Sequence, residues 1–177
     1  MSAMPDLPPD VGVLRMDHVA VAVRDLRAGA ALFGGALGGR FLFGGDSDDQ
    51  GIRIAQFALP GGMKIELITP LHDDAPVARF LARRGEGVHH LTLLVEDVEV
   101  AVARLTGLDY EVVDVDLASR HWREAFVRPR TAFGTLLQLA DTTIRWDEPA
   151  TSAITLDDVL AGRVVFSDDE RAVLRTD

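Results

Sequence analysis

The sequence predicts an α+β fold assembled from two copies of one βαβββ module, and three observations carry that expectation. The segments Asp17-His-Val-Ala-Val-Ala-Val-Arg-Asp25 and His89-His-Leu-Thr-Leu-Leu-Val-Glu-Asp97 share one design: a polar residue, a His, five mostly apolar residues, a charge and an Asp, at an offset of 72. The same offset lays Gly62-Met-Lys-Ile-Glu-Leu67 on Gly134-Thr-Leu-Leu-Gln-Leu139, so Glu66 falls on Gln138, and each stands 48 positions after the His of its module. Asp25 and Asp97 each follow an apolar run and precede a helical pattern, the position at which an Asp side chain caps a helix N-terminus.

In the first module, His18 to Val23 reads as a strand because β-branched residues at 19, 21 and 23 alternate with alanines. Asp25 starts a helix of about a dozen residues through Leu37, which Gly38-Gly39 ends. Strands follow near Phe41 to Phe43, Ile52 to Ala58 and Met63 to Ile68, the last entered through the turn Pro60-Gly61-Gly62. The second module repeats the pattern: strand His90 to Val95, a helix from Asp97 to about Thr106, then strands near Tyr110 to Val115, Ala125 to Arg128 and Thr135 to Ala140. Between them, Asp74-Ala75-Pro76 starts a linking helix that turns Val77, Phe80 and Leu81 toward a core and stops at Gly85.

The predicted organisation is an N-terminal extension over 1–14, one domain over 15–141 (module one 15–71, linking helix 72–86, module two 87–141) and a helical tail over 142–177. Helices are predicted in the tail at Thr155 to Leu160 and from Ser167, where Ser167-Asp-Asp-Glu170 has capping-box form. The tail is assigned to packing or to a subunit contact, as in a homodimer.

With 177 residues, 47% of them hydrophobic, the chain can bury a core of its own. It has no cysteine, so a bound metal must be held by nitrogen and oxygen ligands. A formal charge of −10 opposes binding to nucleic acid or an anionic membrane and leaves small molecules as partners. No apolar run reaches the ~18 residues of a membrane span, and the N-terminus lacks the charged and apolar regions of a secretion signal, so the expected location is the cytoplasm. Of the 18 basic residues 17 are Arg, which suits bidentate recognition of carboxylate or phosphate; coding bias explains it equally well.

Strand alternation puts His18 on the face of Ala20 and Ala22, opposite the valines that pack on the helix. By the same rule His90, Glu66 and Gln138 leave the apolar face of their strands, and two-fold related modules bring all four to one concave surface. A carboxylate buried between imidazoles needs compensation, which a divalent cation supplies. His18, Glu66, His90 and Gln138 form a candidate metal site whose donor set suits Zn, Fe(II), Mn, Co or Ni better than Ca or Mg. A single strand histidine is more often a satisfied core residue; four positions in shared register reverse that preference. His89 is expected to point away by alternation and to be structural, while His72 and His121 fall in predicted loops.

These residues resemble the vicinal oxygen chelate superfamily, the glyoxalase, bleomycin-resistance and dioxygenase fold, whose members pair βαβββ modules into a U-shaped mixed sheet around a metal and ligand cavity. Within it, Lys64-Ile-Glu-Leu-Ile-Thr-Pro-Leu71, Asp74-Ala-Pro-Val-Ala-Arg-Phe-Leu81 and Gly85-Glu-Gly-Val-His-His90 most resemble methylmalonyl-CoA epimerase. The resemblance spans about residues 15 to 141 and implies metal ligands at His18, Glu66, His90 and Gln138. It further implies a metal that stabilises the enolate formed when a base takes the proton α to a thioester, with a second base returning it on the other face.

The chain departs from the epimerase pattern at Gln138, where the family has a carboxylate. An amide is no base near neutral pH, so the acid–base candidates are Glu66, Asp49, which precedes Gln50-Gly51 where the family has an acidic residue, and His121. The function expected is a metal-dependent lyase or isomerase, epimerase- or glyoxalase-like, moving a proton on a small metal-chelating substrate such as an anion or a CoA thioester. Two alternatives stay open: an Fe(II) dioxygenase using His18, His90 and Glu66 as its triad, and a small-molecule binding protein without catalysis. Four arginines in Arg120 to Arg130 are either solvated and paired or at the rim of the site, with Arg123 and Arg128 as substrate-binding candidates; an even separation from Gln138 favours Arg128.

Overall fold

A computed structural model of the chain describes residues 10–143, 154–167 and 171–176. Strand β1 (Val13–Ala22) leads to helix α1 (Leu26–Ala30), capped by the Asp25 side chain accepting from the Ala28 N–H. The helix runs on as a π-helical segment, Ala31–Ala36, in which Leu37 N–H donates to Leu32 C=O at 2.9 Å. The predicted helix through Leu37 thus exists with its last turns widened, where Gly34-Gly35 weaken helix propensity. Gly34 lies so close to the sheet that a Cβ there would come within 2.7 Å of Phe57 Cε1.

Then come β2 (Arg40–Ser47), β3 (Ile52–Ala58), β4 (Lys64–Pro70), α2 (Pro76–Arg84), β5 (Gly87–Val95), α3 (Val98–Gly107), β6 (Val112–Asp116), β7 (Trp122–Val127) and β8 (Leu137–Thr142). After them come α4 (Leu156–Leu160), β9 (Val164–Phe166) and β10 (Ala172–Leu174). The strands form one mixed sheet in the order β10-β9-β2-β3-β4-β1-β5-β8-β7-β6. Its central eight read β2-β3-β4-β1 and, in reverse, β6-β7-β8-β5, so the two predicted modules meet at the antiparallel β1–β5 pair about a pseudo-two-fold.

One face of module one carries α1: Val23, Leu26, Ala30, Phe57, Ile65 and Leu67 are buried together there. In module two α3 covers the matching face through Val98, Ala101, Ala125, Val127 and Leu139. On the opposite face α2 packs Val77 and Leu81 onto Ala20, Ala22 and Ile68, as the linking-helix pattern predicted. The sheet also curls. β3 and β7 are five pairings apart, roughly 24 Å if flat at ~4.8 Å per step. Yet Gln50 Nε2, on the β2–β3 turn, donates to Glu124 Oε1 of β7 at 3.2 Å.

The tail departs from its helical prediction. Helix α4 forms with Thr155 as N-cap and a full capping box to Asp158. The helix predicted from Ser167 begins on residues 168–170, which lie outside the described residues; beyond them Ala172–Leu174 is a strand paired with β9. β9 in turn meets β2, and Arg175 reaches the buried Asp46 at 3.0 Å and Asp48 at 3.1 Å. The edge of β2 gains β9 as a neighbour, and β10 extends the sheet by pairing with β9. Among the described residues, no helix is long and apolar enough to cross a membrane.

Candidate metal centre

His18 on β1, Glu66 on β4 and His90 on β5 are all buried, and one ligand atom from each lies within 4.8 Å of the other two. Parallel pairing of β1 with β4 and antiparallel pairing of β1 with β5 set the three strands side by side, and alternation turns the three side chains off the helix-covered face. Glu66 Oε1 is 3.6 Å from His18 Nε2 and 3.9 Å from His90 Nε2. Its other oxygen accepts from Gln56 Nε2 at 2.8 Å.

The two histidines differ in charge. Burial by itself would lower the pKa of His18, but the Glu66 carboxylate and the Asp17 hydrogen bond outweigh it and raise the pKa to about 9. The Asp17 carboxylate lies 2.9 Å from His18 Nδ1, and it is also paired with the buried Lys64 at 2.7 Å. At the other ring nitrogen, Thr92 Oγ1 is 2.9 Å from His18 Nε2 and donates to Gln138 Oε1 at 2.5 Å. A hydroxyl that spends its proton on Gln138 must accept from His18, so the His18 ring donates from both nitrogens. Glu66 is lowered to about 2: burial opposes this, but the His18 charge prevails. Burial holds His90 neutral, its pKa lowered to about 3, and its buried Nε2 has no hydrogen-bond partner among the described residues.

An orphaned imidazole nitrogen beside an ionised carboxylate and a second imidazole fits a divalent ion of the zinc, iron, cobalt, nickel or manganese kind. Gln138, on β8, is buried with Oε1 on the Thr92 hydroxyl and Nε2 donating to Glu124 Oε2 at 2.6 Å. Gln138 thus joins the His18, Glu66 and His90 cluster through Thr92, and Phe126 packs edge-on to His90 at 5.9 Å between ring centres.

The other sequence candidates are dispersed. Asp49 is exposed on the β2–β3 turn, next to the Gln50 that bridges to module two. His121 stands at the start of β7, its Nδ1 2.9 Å from Thr143 Oγ1. Arg123 is not at the rim: it pairs with Asp141 at 2.6 Å and Asp97 at 3.3 Å, and Asp141 also accepts the Val98 N–H at the start of α3. Arg128 is exposed past the end of β7 and lies 3.4 Å from Glu111. Parity with Gln138 does not bring it inward, because β7 and its pairing with β8 end at Val127. His72 is exposed on Asp74.

His89 overturns its alternation reading. Ala20 pairs with His90 and Val21 with Val88, so His89 is the extra residue of a β-bulge. Its ring lies on Phe80 of α2 at 4.8 Å, and its Nδ1 is 2.9 Å from His90 Nδ1. Asp17, its repeat mate, occupies the equivalent bulge between Met16 and His18 and holds His18 Nδ1. Each bulged residue thus orients the histidine that follows it. If His90 Nε2 binds an ion, His90 Nδ1 carries the proton and donates to His89. His89→Ala should therefore weaken divalent-metal binding by roughly 10–100-fold without abolishing it, measured by calorimetry on chelator-treated protein. Unchanged affinity would make His89 a packing residue only.

Glu124 escaped the sequence reading. It faces the pocket beside Gln138 and accepts from Trp122 Nε1 at 2.7 Å as well. The signal was present, since Glu124 has the same strand parity as Gln138, but the strand was predicted to begin one residue later, at Ala125.

The chain belongs to the Glyoxalase/Bleomycin resistance protein/Dioxygenase superfamily, whose family model matches residues 17–126. Within that class it is similar to the ethylmalonyl-CoA/methylmalonyl-CoA epimerase of Cereibacter sphaeroides, at 33% identity over 129 residues that cover 71% of this chain and 96% of the relative. The crystal structure of methylmalonyl-CoA epimerase from Mycobacterium tuberculosis superposes with a TM-score of 0.70 at 30% identity, covering 78% of this chain and 95% of that one. A Streptomyces coelicolor methylmalonyl-CoA epimerase variant in complex with 2-nitronate-propionyl-CoA matches with a TM-score of 0.69 at 26% identity, over 75% of this chain and all of that one.

Proposed function

We propose that the chain is a metal-dependent isomerase that moves the proton α to the thioester carbonyl of a malonyl-type acyl-CoA. The observation that carries this reading is the buried His18, Glu66 and His90 cluster with the unpartnered His90 Nε2. His18, Glu66 and His90 hold the ion, with Gln138 Oε1 as a neutral fourth ligand. When bound, a divalent ion supplies electrostatic stabilisation of the oxyanion that develops as the proton leaves. The epimerase relatives support the substrate class.

The chain's own residues do the rest. Asp17 and His89 fix the two imidazoles, and Gln56 fixes Glu66. The candidates for proton transfer are Asp49, exposed on the β2–β3 turn beside the Gln50 that bridges to Glu124, and Glu66, whose Oε2 is already engaged by Gln56. His121, tied to Thr143, is the weaker candidate. Deuterium wash-in at the α-carbon of methylmalonyl-CoA, with the metal restored, tests the reading. The expected result is wash-in by the wild type and a ~10²-fold or greater loss in Asp49→Asn. Absence of exchange in metal-loaded wild type sinks the assignment, and oxygen consumption with Fe(II) would point instead to dioxygenase chemistry.

Metal uptake should also depend on pH in a defined direction. His18 must lose its Nε2 proton to become a ligand, so below its pKa of about 9 the apparent affinity should rise ~tenfold per pH unit, with close to one proton released. In chelator-treated protein the same group makes stability pH-dependent. Its folded pKa lies above the ordinary 6.5, so its contribution is complete below 6.5 and fades as pH climbs through about 9. Asp17 and Glu66, lowered to about 2, act oppositely: their contribution is complete above their ordinary 3.8 and 4.5 and fades as pH falls through about 2. Melting temperatures from pH 3 to 9 should therefore fall away at both ends, and a flat profile above pH 6.5 would contradict an ionised His18.

A further inference from the structure

Each module contains one carboxylate and one amide side by side, with their parts exchanged. In module one, Gln56 Nε2 donates to the ligand carboxylate of Glu66 at 2.8 Å. In module two, the carboxylate of Glu124 takes the Nε2–H of Gln138 at 2.6 Å. Gln56 pairs with Glu66 across β3 and β4, whereas Glu124 sits two residues before Phe126, the partner of Gln138 across β7 and β8.

We propose that Glu124 is the positioning residue that makes Gln138 an oxygen ligand. An amide has two nearly equal orientations, and only its oxygen can hold a metal. A carboxylate accepts and cannot donate, so the Gln138 atom that faces Glu124 must be the nitrogen. That forces Oε1 toward Thr92 and the histidines, where it accepts from Thr92 Oγ1. Glu124 is itself held by Trp122 Nε1 at 2.7 Å and by Gln50 Nε2 at 3.2 Å, so its carboxylate is not free to turn away. The consequence is electrostatic: with Glu66 as its single carboxylate ligand, a divalent site keeps a net positive charge, which favours substrates that chelate through anionic oxygens.

The inference rests on the metal reading above, and its test is a double-mutant cycle read by Co(II) binding rather than activity. Chelator-treated wild type, Glu124→Ala, Gln138→Glu and the double variant are titrated with Co(II) by calorimetry, and the visible Co(II) spectrum reports the ligand set. Glu124→Ala should weaken binding by roughly 10–100-fold in the Gln138 background. In the Gln138→Glu background the same substitution should leave affinity unchanged or raise it, because a carboxylate has no wrong orientation and gains by losing a like-charged neighbour. Glu124→Gln, whose amide oxygen still accepts from Gln138, should stay closer to wild type than Glu124→Ala and covers the case in which the alanine variant does not fold. Equal losses in both backgrounds, or no loss in either, overturn the proposal while leaving the metal centre standing. A wild type that binds no Co(II) overturns both.

Discussion

Replacing His90 with Ala is expected to abolish stoichiometric retention of a divalent metal and to leave the protein folded. His90 is the cleaner of the two histidine tests because its Nε2 makes no hydrogen bond among the described residues and so leaves none orphaned. What it loses is contact with His89 and Phe126, the edge-on contact with the His18 ring and the 3.9 Å approach to Glu66, while the His18–Glu66 pair remains. His18→Ala should abolish retention too but at a structural cost, since Asp17 and Glu66 both lose a cationic partner; breaking a buried pair of this kind costs about 3–5 kcal/mol. The loss of affinity in either variant should exceed the ~10–100-fold expected for His89, which acts only through its neighbour. Elemental analysis of protein purified without chelator checks this, together with melting temperature. A full equivalent of metal in both variants would remove His18 and His90 from the ligand set.

Exchanging the module-two pair, Glu124→Gln with Gln138→Glu, is expected to tighten divalent binding and to raise α-proton exchange. The exchange leaves the total charge of the pocket unchanged and moves the carboxylate from the position behind the ligand to the ligand position itself. Gln138→Glu alone does this less well, because the new carboxylate faces Glu124 where a donor stood at 2.6 Å, and the two repel. In the double variant the amide introduced at position 124 supplies a donor again. A positioned carboxylate acting as general base contributes ~10²–10⁴-fold, which sets the scale expected for deuterium wash-in with methylmalonyl-CoA. If neither affinity nor wash-in rises in the double variant, Gln138 does not face the reacting carbon.

The sequence alone determined whatever depends on local periodicity. Valine alternation in β1, the Asp25 and Asp97 caps and the repeat offset placed His18, Glu66, His90 and Gln138 on one face, because side-chain direction follows from position within a strand. Pairing between strands decided the rest. The bulges at Asp17 and His89 insert an extra residue into the β1–β5 ladder, and no pattern within a single strand signals that. The same is true of Glu124, which becomes part of the pocket only where β7 lies against β8 and the curled sheet brings the Gln50 turn across to it. Arg123 and Arg128 went the other way, drawn off by Asp141, Asp97 and Glu111. In the tail, Ala172–Leu174 is too short and plain to choose a state by propensity; the β9 strand beside it and the Asp46 carboxylate that receives Arg175 make the choice. A strand's faces are set by its own covalent geometry, but what each face meets depends on backbone hydrogen bonds to residues distant in sequence, which exist only once the sheet has formed.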